Sequence, residues 1–363
     1  MRKPVWPAAP EMHYVERFPH DHVHGRTPVS SIMCADASPL GIAQSPARWA
    51  FLDTETTGIA GGTGTYAFLI GVGVCESDGF HIHQFFMRDF AEEAQVLDAL
   101  ADLLKNYEVL VTYNGKTFDA PLLETRFRMM RRRVAHESMA HLDLLHAARR
   151  LWKLRLKTCR LVELESAVLG YERVGDIPGM LIPSRYYQFL RTGYMNGLQP
   201  VFYHNRMDIL TLACLTSLVL GVLDTGGDPS RVAAFHPMDL YGLAKWLAHL
   251  GRQDAALEVY DRAMLASRDL PEFTIARIRW AMAAIHKRRG DYASALPLWQ
   301  ALGTRDALVE IAKYHEHHAR DYAAALVVSR SAGDESRIAR LTRKTSRAAA
   351  GAQLLRSMNV GGS

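Results

Sequence analysis

Strand-like segments are confined to the first two thirds of this 363-residue chain, and this uneven distribution limits the folds open to it. Apolar runs typical of strands are found in "RWAFLD", "TYAFLIGVGVCE", "FHIHQFFMRD" and "VLVTYN". Between the last two, "EEAQVLDALADLLK" has apolar residues at helical spacing. Strands and helices in this succession predict an α/β domain with a mixed five-stranded sheet, here over residues 46–226.

The strand pattern disappears after about Gly226, where helical apolar spacing alternates with short breaks. Three segments there share a shape and start 39 and then 30 residues apart: "GRQDAAL" (251–257), "GDYASAL" (290–296) and "RDYAAAL" (320–326). The small residues at their shared position are Ala256, Ala295 and Ala325. Because these intervals straddle the roughly 34 residues of a tetratricopeptide unit, residues 230–350 are expected to form an all-α domain of tetratricopeptide-like helical hairpins. An ordinary helical bundle with alanine at its contacts is the alternative.

The two ends of the chain differ from the rest in composition. Residues 1–45 contain several prolines and the segment "FPHDHVHG", which predict an arm on the surface of a larger domain. His20, His22 and His24 could bind a metal, but histidines without a neighbouring cysteine or an HExxH context are usually surface polar residues. Residues 351–363, which end in "NVGGS", predict a flexible tail.

Composition narrows the class of protein. The net charge of +5 is mildly basic and is compatible with a polyanionic partner. The four cysteines are scattered without a CxxC pair, so neither a disulfide framework nor a zinc site is indicated. The longest apolar stretch, at about 209–223, is short and contains threonine and serine, so we expect no membrane span. Without a basic and apolar leader, the sequence predicts a cytoplasmic protein.

The segment "FLDTETTG" (51–58) places two acids directly behind an apolar run. Asp53 and Glu55 are two residues apart, so on an extended chain their side chains project to the same face. Their mutual repulsion is unfavourable unless a cation lies between them, and carboxylate oxygens suit Mg²⁺ or Mn²⁺. The alternative is a polar turn in which Asp and Thr side chains satisfy backbone groups.

Two later segments carry further acids. In "VTYNGKTFDAPLL", Asp119 follows a strand and a short loop, within the first turn of a predicted helix. An aspartate at that place is often only a helix cap. In "FYHNRMDILTL", His204 and Asp208 are four residues apart, hence one turn apart on the same face of a predicted helix. Each motif alone is a weak signal, whereas the combination of the three is specific.

Together the three motifs resemble those of the DEDD (DnaQ-like) 3′–5′ exonuclease superfamily, which has the ribonuclease H-like fold, over about residues 48–222. The wording "GGTGTYAFLIGVG", "YNGKTFDAPLL", "DIPG" and "HNRMD" resembles a bacterial subgroup of predicted exonucleases, the YprB-like proteins, some of which have tetratricopeptide-like tails. The resemblance implies that the catalytic, metal-binding carboxylates are Asp53, Glu55, Asp119 and Asp208. It also implies that His204 is the general base. Three residues rather than the usual four separate His204 from Asp208, so Tyr203, which stands at the other spacing, is the alternative base.

The resemblance further implies metal-dependent hydrolysis of phosphodiester bonds from a 3′ end of DNA or RNA. Four converging carboxylates repel one another, and two Mg²⁺ or Mn²⁺ ions about 3.5–4 Å apart would neutralise them. One ion would lower the pKa of an attacking water, and the other would stabilise the departing 3′ oxygen. The helical repeats would then hold a protein partner or the substrate. The alternative is a catalytically silent nuclease-like scaffold that binds nucleic acid and a protein partner.

Residues near these motifs are candidates for contact with nucleic acid. Those beside the acidic motifs are Thr57, Asn114 and Phe118. Phe118 could stack on a terminal base, although apolar residues in a first helical turn commonly pack inward. The basic candidates, from "TRFRMMRRRVAHE", are Arg126, Arg131, Arg132 and Arg133, and a second basic group follows at Arg149, Arg150, Lys153, Arg155 and Lys157. Such density suits phosphate contacts, but a solvated helix face with salt bridges is the alternative. We expect "GIAGGTGTY" to be a mobile turn near the substrate.

Overall fold

The computed structural model describes residues 11–58, 63–224 and 235–346. The chain divides into two compact units, Met1–Phe235 and His236–Ser363. The predicted tail at 351–363 and part of the predicted glycine-rich turn, residues 59–62, lie outside the described residues.

The first unit contains a six-stranded mixed sheet in the order β1-β6-β5-β4-β7-β8. Its strands are β1 (His13–Phe18), β4 (Trp49–Thr56), β5 (Ala67–Glu76), β6 (Gly79–Phe86), β7 (Val109–Thr112) and β8 (Ala140–Asp143). A separate two-stranded sheet pairs β2 (Val23–His24) with β3 (Thr27–Pro28). The neighbours from β1 to β4 are antiparallel, whereas β4, β7 and β8 are parallel. The carboxyl ends of β4, β7 and β8 therefore meet at one edge of the sheet.

The expected α/β fold with a mixed sheet is confirmed, but the expectation of five strands is wrong by one. The four strand-like segments of the sequence correspond to β4, β5, β6 and β7, and the short strand β8 (Ala140–Asp143) is outside them. Part of the predicted N-terminal arm forms the edge strand β1, which pairs with β6 from His13 to Phe18. Its residues are largely exposed, so it lacks the apolar run by which a strand is recognised in sequence. Strand β4 also runs further than expected, since both Asp53 and Glu55 pair with β5 before the strand ends.

Within residues 11–58 and 63–224 this unit has six α-helices: α1 (Glu93–Leu104), α2 (Asp119–Met129), α3 (Leu144–Trp152), α4 (Leu161–Leu164), α5 (Ile182–Thr192) and α6 (Gln199–Asp224). Helix α2 connects the parallel strands β7 and β8, as such a pair requires. Tyr186 of α5 stacks on Phe68 of β5 with ring centroids 4.0 Å apart, and its hydroxyl donates to the carbonyl of Met87 at 2.9 Å. Aromatic stacking and apolar burial thus fix the helices on the sheet.

Helix α6 is the longest helix of the unit and lies on the sheet where two strand residues lack side chains. A Cβ atom on Gly71 would lie 2.2 Å from Oδ1 of Asn205, and one on Gly73 would lie 2.4 Å from Cγ2 of Ile209. Both glycines are in the fully buried part of β5. They therefore let α6 approach the sheet closely.

The same helix corrects the expectation that no segment is long enough to span a bilayer. Residues Met195–Asp224 are helical and reach a mean hydropathy of 1.8, which by length and composition would suffice for a span. The uninterrupted apolar stretch of the sequence is shorter than this helix, because polar residues of the site interrupt the first half of the helix. However, 78% of the apolar window is buried inside the protein, as in the core helix of a globular domain.

The second unit is helical. Its helices are α7 (Pro237–His249), α8 (Gln253–Leu265), α9 (Glu272–Arg288), α10 (Tyr292–Leu302), α11 (Arg305–His317) and α12 (Tyr322–Ala332), and residues 335–346 are also helical. Helix α7 packs on α8, α9 on α10, and α11 on α12.

The three repeated segments lie at equivalent turns of these hairpins. Gly251, Gly290 and Arg320 all have positive φ, at 80°, 74° and 54°. Glycine adopts this backbone conformation without strain, which explains why two of the three turns use it. The equivalent alanines at 256, 295 and 325 are completely buried, so each lies at a helix–helix contact. Their assignment to the tetratricopeptide class stays a prediction.

The close approach of α6 predicts that Gly71→Ala destabilises the protein. The added methyl group would displace Asn205, which is completely buried, and should lower the free energy of unfolding by about 1–3 kcal/mol. Thermal and urea unfolding measure the change. Gly179→Ala is the matched control, because a Cβ there meets no atom within 4 Å. Equal stability of the two variants would contradict this account of the packing.

Candidate active site

Asp53 and Glu55 project from β4 toward α6. Asp53 pairs with Gly71 across the strands, so its side chain lies on the face that α6 covers. Its Oδ2 accepts a hydrogen bond of 2.9 Å from Nδ2 of Asn205, and Oδ1 of Asn205 in turn accepts one of 2.9 Å from Gln84. Glu55 is only 8% exposed. Glu55 is therefore buried, whereas Asp53 is half-buried and held by Asn205.

Asp119 is the first residue of α2 and is 8% exposed. Its Oδ1 accepts a hydrogen bond of 2.5 Å from the hydroxyl group of Thr54, so the site uses the threonine between the two acids of β4 as well. The sequence leaves open that Asp119 is only a helix cap. Its burial and its contact with β4 instead connect it to the first acidic motif.

The loop before Asp119 is held by Asp143, at the end of β8. The carboxylate of Asp143 accepts hydrogen bonds from the backbone N–H groups of Asn114, at 2.8 Å, and Lys116, at 3.1 Å. Asn114 has a φ of 65°, which Asn tolerates better than most residues. The loop therefore has a defined shape that delivers Asp119 to the sheet edge.

His204 and Asp208 lie one turn apart on α6, as expected from their spacing. Nε2 of His204 is 3.4 Å from Oδ2 of Asp208. One possible ligand atom from each of Glu55, His204 and Asp208 lies within 4.8 Å of the other two. Asp53 and Asp119 are outside this tight group and bond to Asn205 and Thr54 respectively. The negative charge of Asp119 nevertheless contributes to the raised pKa of Glu55.

Tyr203, the alternative base, is directed elsewhere. Its hydroxyl group is 3.5 Å from that of Tyr171, and its ring lies 5.7 Å from the guanidinium carbon of Arg206. On a helix the preceding residue is rotated by about 100° from its neighbour. The imidazole of His204, and not the phenol of Tyr203, thus faces the carboxylates.

A charged network behind the site orients His204 and Asp208. Nδ1 of His204 lies 2.9 and 3.1 Å from the two carboxylate oxygens of Asp176, so Nε2 is the nitrogen that faces Glu55. The guanidinium group of Arg173 donates to Oδ1 of Asp208 and lies 3.3 Å from Asp176. Each of these side chains has an opposite charge within hydrogen-bond distance, which fixes its rotamer.

Arg173 is in turn anchored by a buried group from three distant parts of the chain. Arg173 donates to the carboxylate of Glu165, and the same carboxylate lies 2.9 Å from Nε2 of His24. Thr211 of α6 also donates to it. His24 is 1% exposed, so the expectation that the N-terminal histidines are surface residues is wrong for this one. A buried imidazole requires a partner, and Glu165 provides it.

The carboxylates of this site bind protons more tightly than usual. Burial, followed by repulsion from the neighbouring carboxylates, raises the pKa of Asp53 well above its ordinary value. Burial also raises the pKa of Glu55 to about 8 and that of Asp119 to about 6. By itself burial would lower the pKa of His204, but Asp176 and the site carboxylates outweigh it and raise that pKa to about 9. A cation in the site would relieve this repulsion.

The residues of the site therefore fit a divalent cation. Carboxylate oxygens with one imidazole nitrogen are ligands that Mg²⁺ or Mn²⁺ accepts. Asp208 could offer its Oδ2, because Arg173 occupies Oδ1. The observation that supports this fit is that several carboxylates lie close together in a largely buried site. Carboxylates in such a place stay ionised only when a positive charge compensates them.

The residues expected to touch nucleic acid have different positions. Phe118 is 54% exposed next to Asp119, so the possibility that it packs inward is wrong. Asn114 is half-buried in the same loop. Thr57 is buried, and both its N–H and its hydroxyl oxygen bond to the backbone of Tyr66, which leaves it a structural part of the β4 exit.

Arg126 corrects the expectation for the arginine-rich segment. Its side chain is 1% exposed, and its guanidinium group donates to Glu93 and to the carbonyl of Thr63. It is therefore unavailable to a phosphate group. Arg132 is exposed but donates to both oxygens of Asp98, at 2.7 and 2.9 Å, while Arg131 and Arg133 are exposed.

Sequence reasoning missed four residues that position the site: Asn205, Asp143, Asp176 and Arg173. Asp176 belongs to the segment "DIPG", which resembles YprB-like proteins but by itself indicates no role for the aspartate. Asn205 lies between the two motif residues of α6. No local pattern indicates Asp143 or Arg173, because the groups that they position lie far away in the chain: Asn114 and Lys116 are 29 and 27 residues from Asp143, and Asp208 is 35 residues from Arg173.

Comparison with known proteins places this geometry in a family. Residues 50–220 match the family model RNase_H_2 of the RNase_H superfamily. Among curated proteins, the "Uncharacterized protein YprB" of Bacillus subtilis (strain 168) is 31% identical over 318 residues, which cover 82% of this chain and 75% of the relative. Among solved structures, the family B DNA polymerase from the hyperthermophilic archaeon Pyrobaculum calidifontis has 17% identity and a TM-score of 0.39. That likeness covers 61% of this chain and only 30% of the polymerase chain.

The extent of the match to YprB includes both units of the chain, and the family model covers the whole acidic site. The chain therefore belongs to the family of YprB, and its first unit has an RNase H-like fold.

Proposed function

We propose that this protein is a metal-dependent nuclease that removes nucleotides from the 3′ end of a nucleic acid strand. The observation that carries the proposal is the convergence of Glu55, His204 and Asp208, with their ligand atoms within 4.8 Å of one another, beside the half-buried Asp53 and the buried Asp119. Membership of the RNase H superfamily supports phosphodiester hydrolysis. The direction from the 3′ end comes from the resemblance of the three motifs to those of DEDD exonucleases.

The residues that would hold two Mg²⁺ or Mn²⁺ ions are Asp53, Glu55, Asp119 and Asp208. When bound, such ions supply positive charge that neutralises the carboxylates and activates water for attack on phosphorus. The positive charge of such ions would lower the raised pKa of His204, and Asp176 keeps the remaining imidazole proton on Nδ1, so that Nε2 can accept the proton of the attacking water. Arg173 holds Asp208 in place and compensates part of its negative charge.

The rival proposal, a silent scaffold, does not account for this arrangement. A scaffold that only binds nucleic acid has no use for four carboxylates that repel one another inside a domain. No catalytic role is proposed for the helical unit, because all proposed catalytic residues precede position 209. We propose that its hairpins bind a protein partner or a longer substrate.

Asp53→Ala is expected to abolish nuclease activity, with a loss of at least about a hundredfold, because one of the charges that organise the catalytic site is removed. Activity is measured on end-labelled single- and double-stranded DNA and RNA, with and without Mn²⁺, so that a ladder shortening from the 3′ end is distinguished from internal cuts. Asp102→Asn is the control, because Asp102 is an exposed acid that pairs with Lys105 and has no proposed catalytic role. Wild-type rates in purified Asp53→Ala would sink the proposal.

Three variants test the assignment of the base. His204→Ala should lower the turnover rate about a hundredfold or more, as loss of a positioned general base does. Tyr203→Phe should have little effect. Asp176→Asn should lower the rate by about 10–100-fold, because the imidazole loses the acceptor that fixes its orientation. The opposite ranking, with Tyr203→Phe inactive and His204→Ala nearly normal, would assign the role to the tyrosine.

The metal-free protein should lose stability as pH rises. The folded-state pKa of Glu55, about 8, exceeds its ordinary 4.5, so its favourable protonation is complete below about pH 4.5 and is lost as pH rises through 8. His204, raised from 6.5 to about 9, acts in the same direction at higher pH. We expect Tm in EDTA to fall across this range and Mn²⁺ to restore it most at the alkaline end.

Glu55→Gln, which mimics the protonated carboxyl group, should flatten this dependence and reduce the stabilisation by Mn²⁺. Glu137→Gln, at an exposed position, is the matched control and should retain both effects. If Glu55→Gln and Glu137→Gln give the same pH profile and the same response to Mn²⁺, Glu55 is not part of a cation site.

A further inference from the structure

A basic cleft of about 540 Å³ opens beside the loop that carries Asp119. The residues of its wall that matter here are Tyr113, Asn114, Arg149, Lys153, Lys157 and Arg160. It lies wholly within the first unit. The catalytic residues proposed above are absent from its lining, so the cleft is a separate feature of the same domain.

The four cations of the cleft are arranged by one helix and the segment that follows it. Arg149 is on α3 and Lys153 caps the end of this helix, four residues later, so both lie on one face. Lys157 and Arg160 are in the irregular segment between α3 and α4. The hydroxyl group of Tyr113 donates to the carbonyl of Cys159 and fastens that segment over the β7 end.

These side chains are exposed and free to bind an anion. Among the described residues, none of the four cations has an ion-pair partner within 4.0 Å. The acid closest along this segment is Glu163, whose carboxylate accepts a hydrogen bond from Thr158. Four positive charges around a cleft whose lining contains no acidic residue make a positive potential.

The cleft and the carboxylates lie at the same edge of the sheet. Strands β4, β7 and β8 are parallel neighbours, and their carboxyl ends carry Glu55, Asn114 and Asp143 respectively. Adjacent strands are about 4.8 Å apart, so two strand spacings amount to about 10 Å. Asn114 lines the cleft and also begins the loop to Asp119. A chain with regularly spaced negative charges could therefore reach both places.

We propose that this cleft binds backbone phosphates of the nucleic acid strand whose 3′ end occupies the carboxylate site. The inference rests on the proposed function, since it assigns a second contact to the same substrate. Lysine and arginine around an open cleft suit phosphate oxygens, and contacts of this kind hold a strand without reading its bases. Tyr113 and Asn114 then lie between the cleft and the catalytic residues, because both line the cleft and precede Asp119 in the same loop.

Binding measured without turnover tests the cleft. In an Asp53→Asn background with EDTA, fluorescence anisotropy follows a labelled single strand of about ten nucleotides at several salt concentrations. The double variants Arg149→Gln/Lys153→Gln and Lys157→Gln/Arg160→Gln should each weaken binding at least about tenfold, and each should reduce the slope of log K against log [salt] by about 1.4. Thermal unfolding confirms that the variants remain folded.

Arg185→Gln/Arg191→Gln, on exposed positions of α5, is the matched control for loss of two charges and should retain the parent affinity and salt slope. Unchanged affinity and slope in both cleft variants would overturn the proposal. So would a result in which Arg131→Gln/Arg133→Gln carries the salt-dependent loss and the cleft variants do not.

Competition experiments distinguish the two sources of a phosphate group. Inorganic phosphate and a nucleoside monophosphate should compete only weakly, because each presents one phosphate to a cleft with four cations. If the cleft variants lose binding of the monophosphate but keep the affinity for the strand, the cleft holds a free small anion and the proposal is wrong. Failure of the nuclease proposal is a separate result, in which the strand binds through the cleft and the wild type cleaves nothing.

Discussion

The close contact between α6 and strand β5 is the constraint on which the site depends. Without side chains at Gly71 and Gly73, the helix comes near enough for Asn205 to bond Asp53 on the neighbouring strand. The same contact brings His204 and Asp208, which flank Asn205 in sequence, to the acids of β4. One packing interaction therefore assembles two motifs that are about 150 residues apart in the chain.

Charge compensation is the second requirement, because the contact with α6 concentrates acids in the interior. Arg173 compensates Asp208 and Asp176, and it is itself held by Glu165, whose carboxylate also contacts His24 and Thr211. This chain of contacts reaches the N-terminal segment, so that segment supports the site although it contributes no catalytic group. The remaining acids, Asp53, Glu55 and Asp119, have no such arginine among the described contacts, and burial raises the pKa of each of them. That difference within one cluster is what a bound cation would remove.

The arginine-rich segments illustrate how burial decides between two uses of the same residue type. Arg126 stands in the denser run of basic residues, yet it lies under Tyr66 and is bound by Glu93. The second basic group, after α3, remains at the surface and lines a cleft. Arginine pairs with carboxylates inside a protein and with phosphates outside it. Charge density along the chain therefore does not tell which of the two groups meets a ligand.

The sequence by itself determined the four apolar strands β4 to β7, the helix α1 between β6 and β7, and the division into an α/β part and a helical part. It also determined the two-residue spacing of Asp53 and Glu55 and the four-residue spacing of His204 and Asp208, which put each pair on one face. These features depend on residues a few positions apart, whose side-chain directions follow from local geometry. Only the tertiary structure decided that Asp176 and Arg173 support the site, that Arg126 is buried and that β1 joins the sheet. Each of these depends on partners far away in the chain, and such partners leave no periodic trace in the sequence. The glycines of β5 lie between the two cases, because they are visible in "GVGVC" but acquire their meaning only when α6 lies on them.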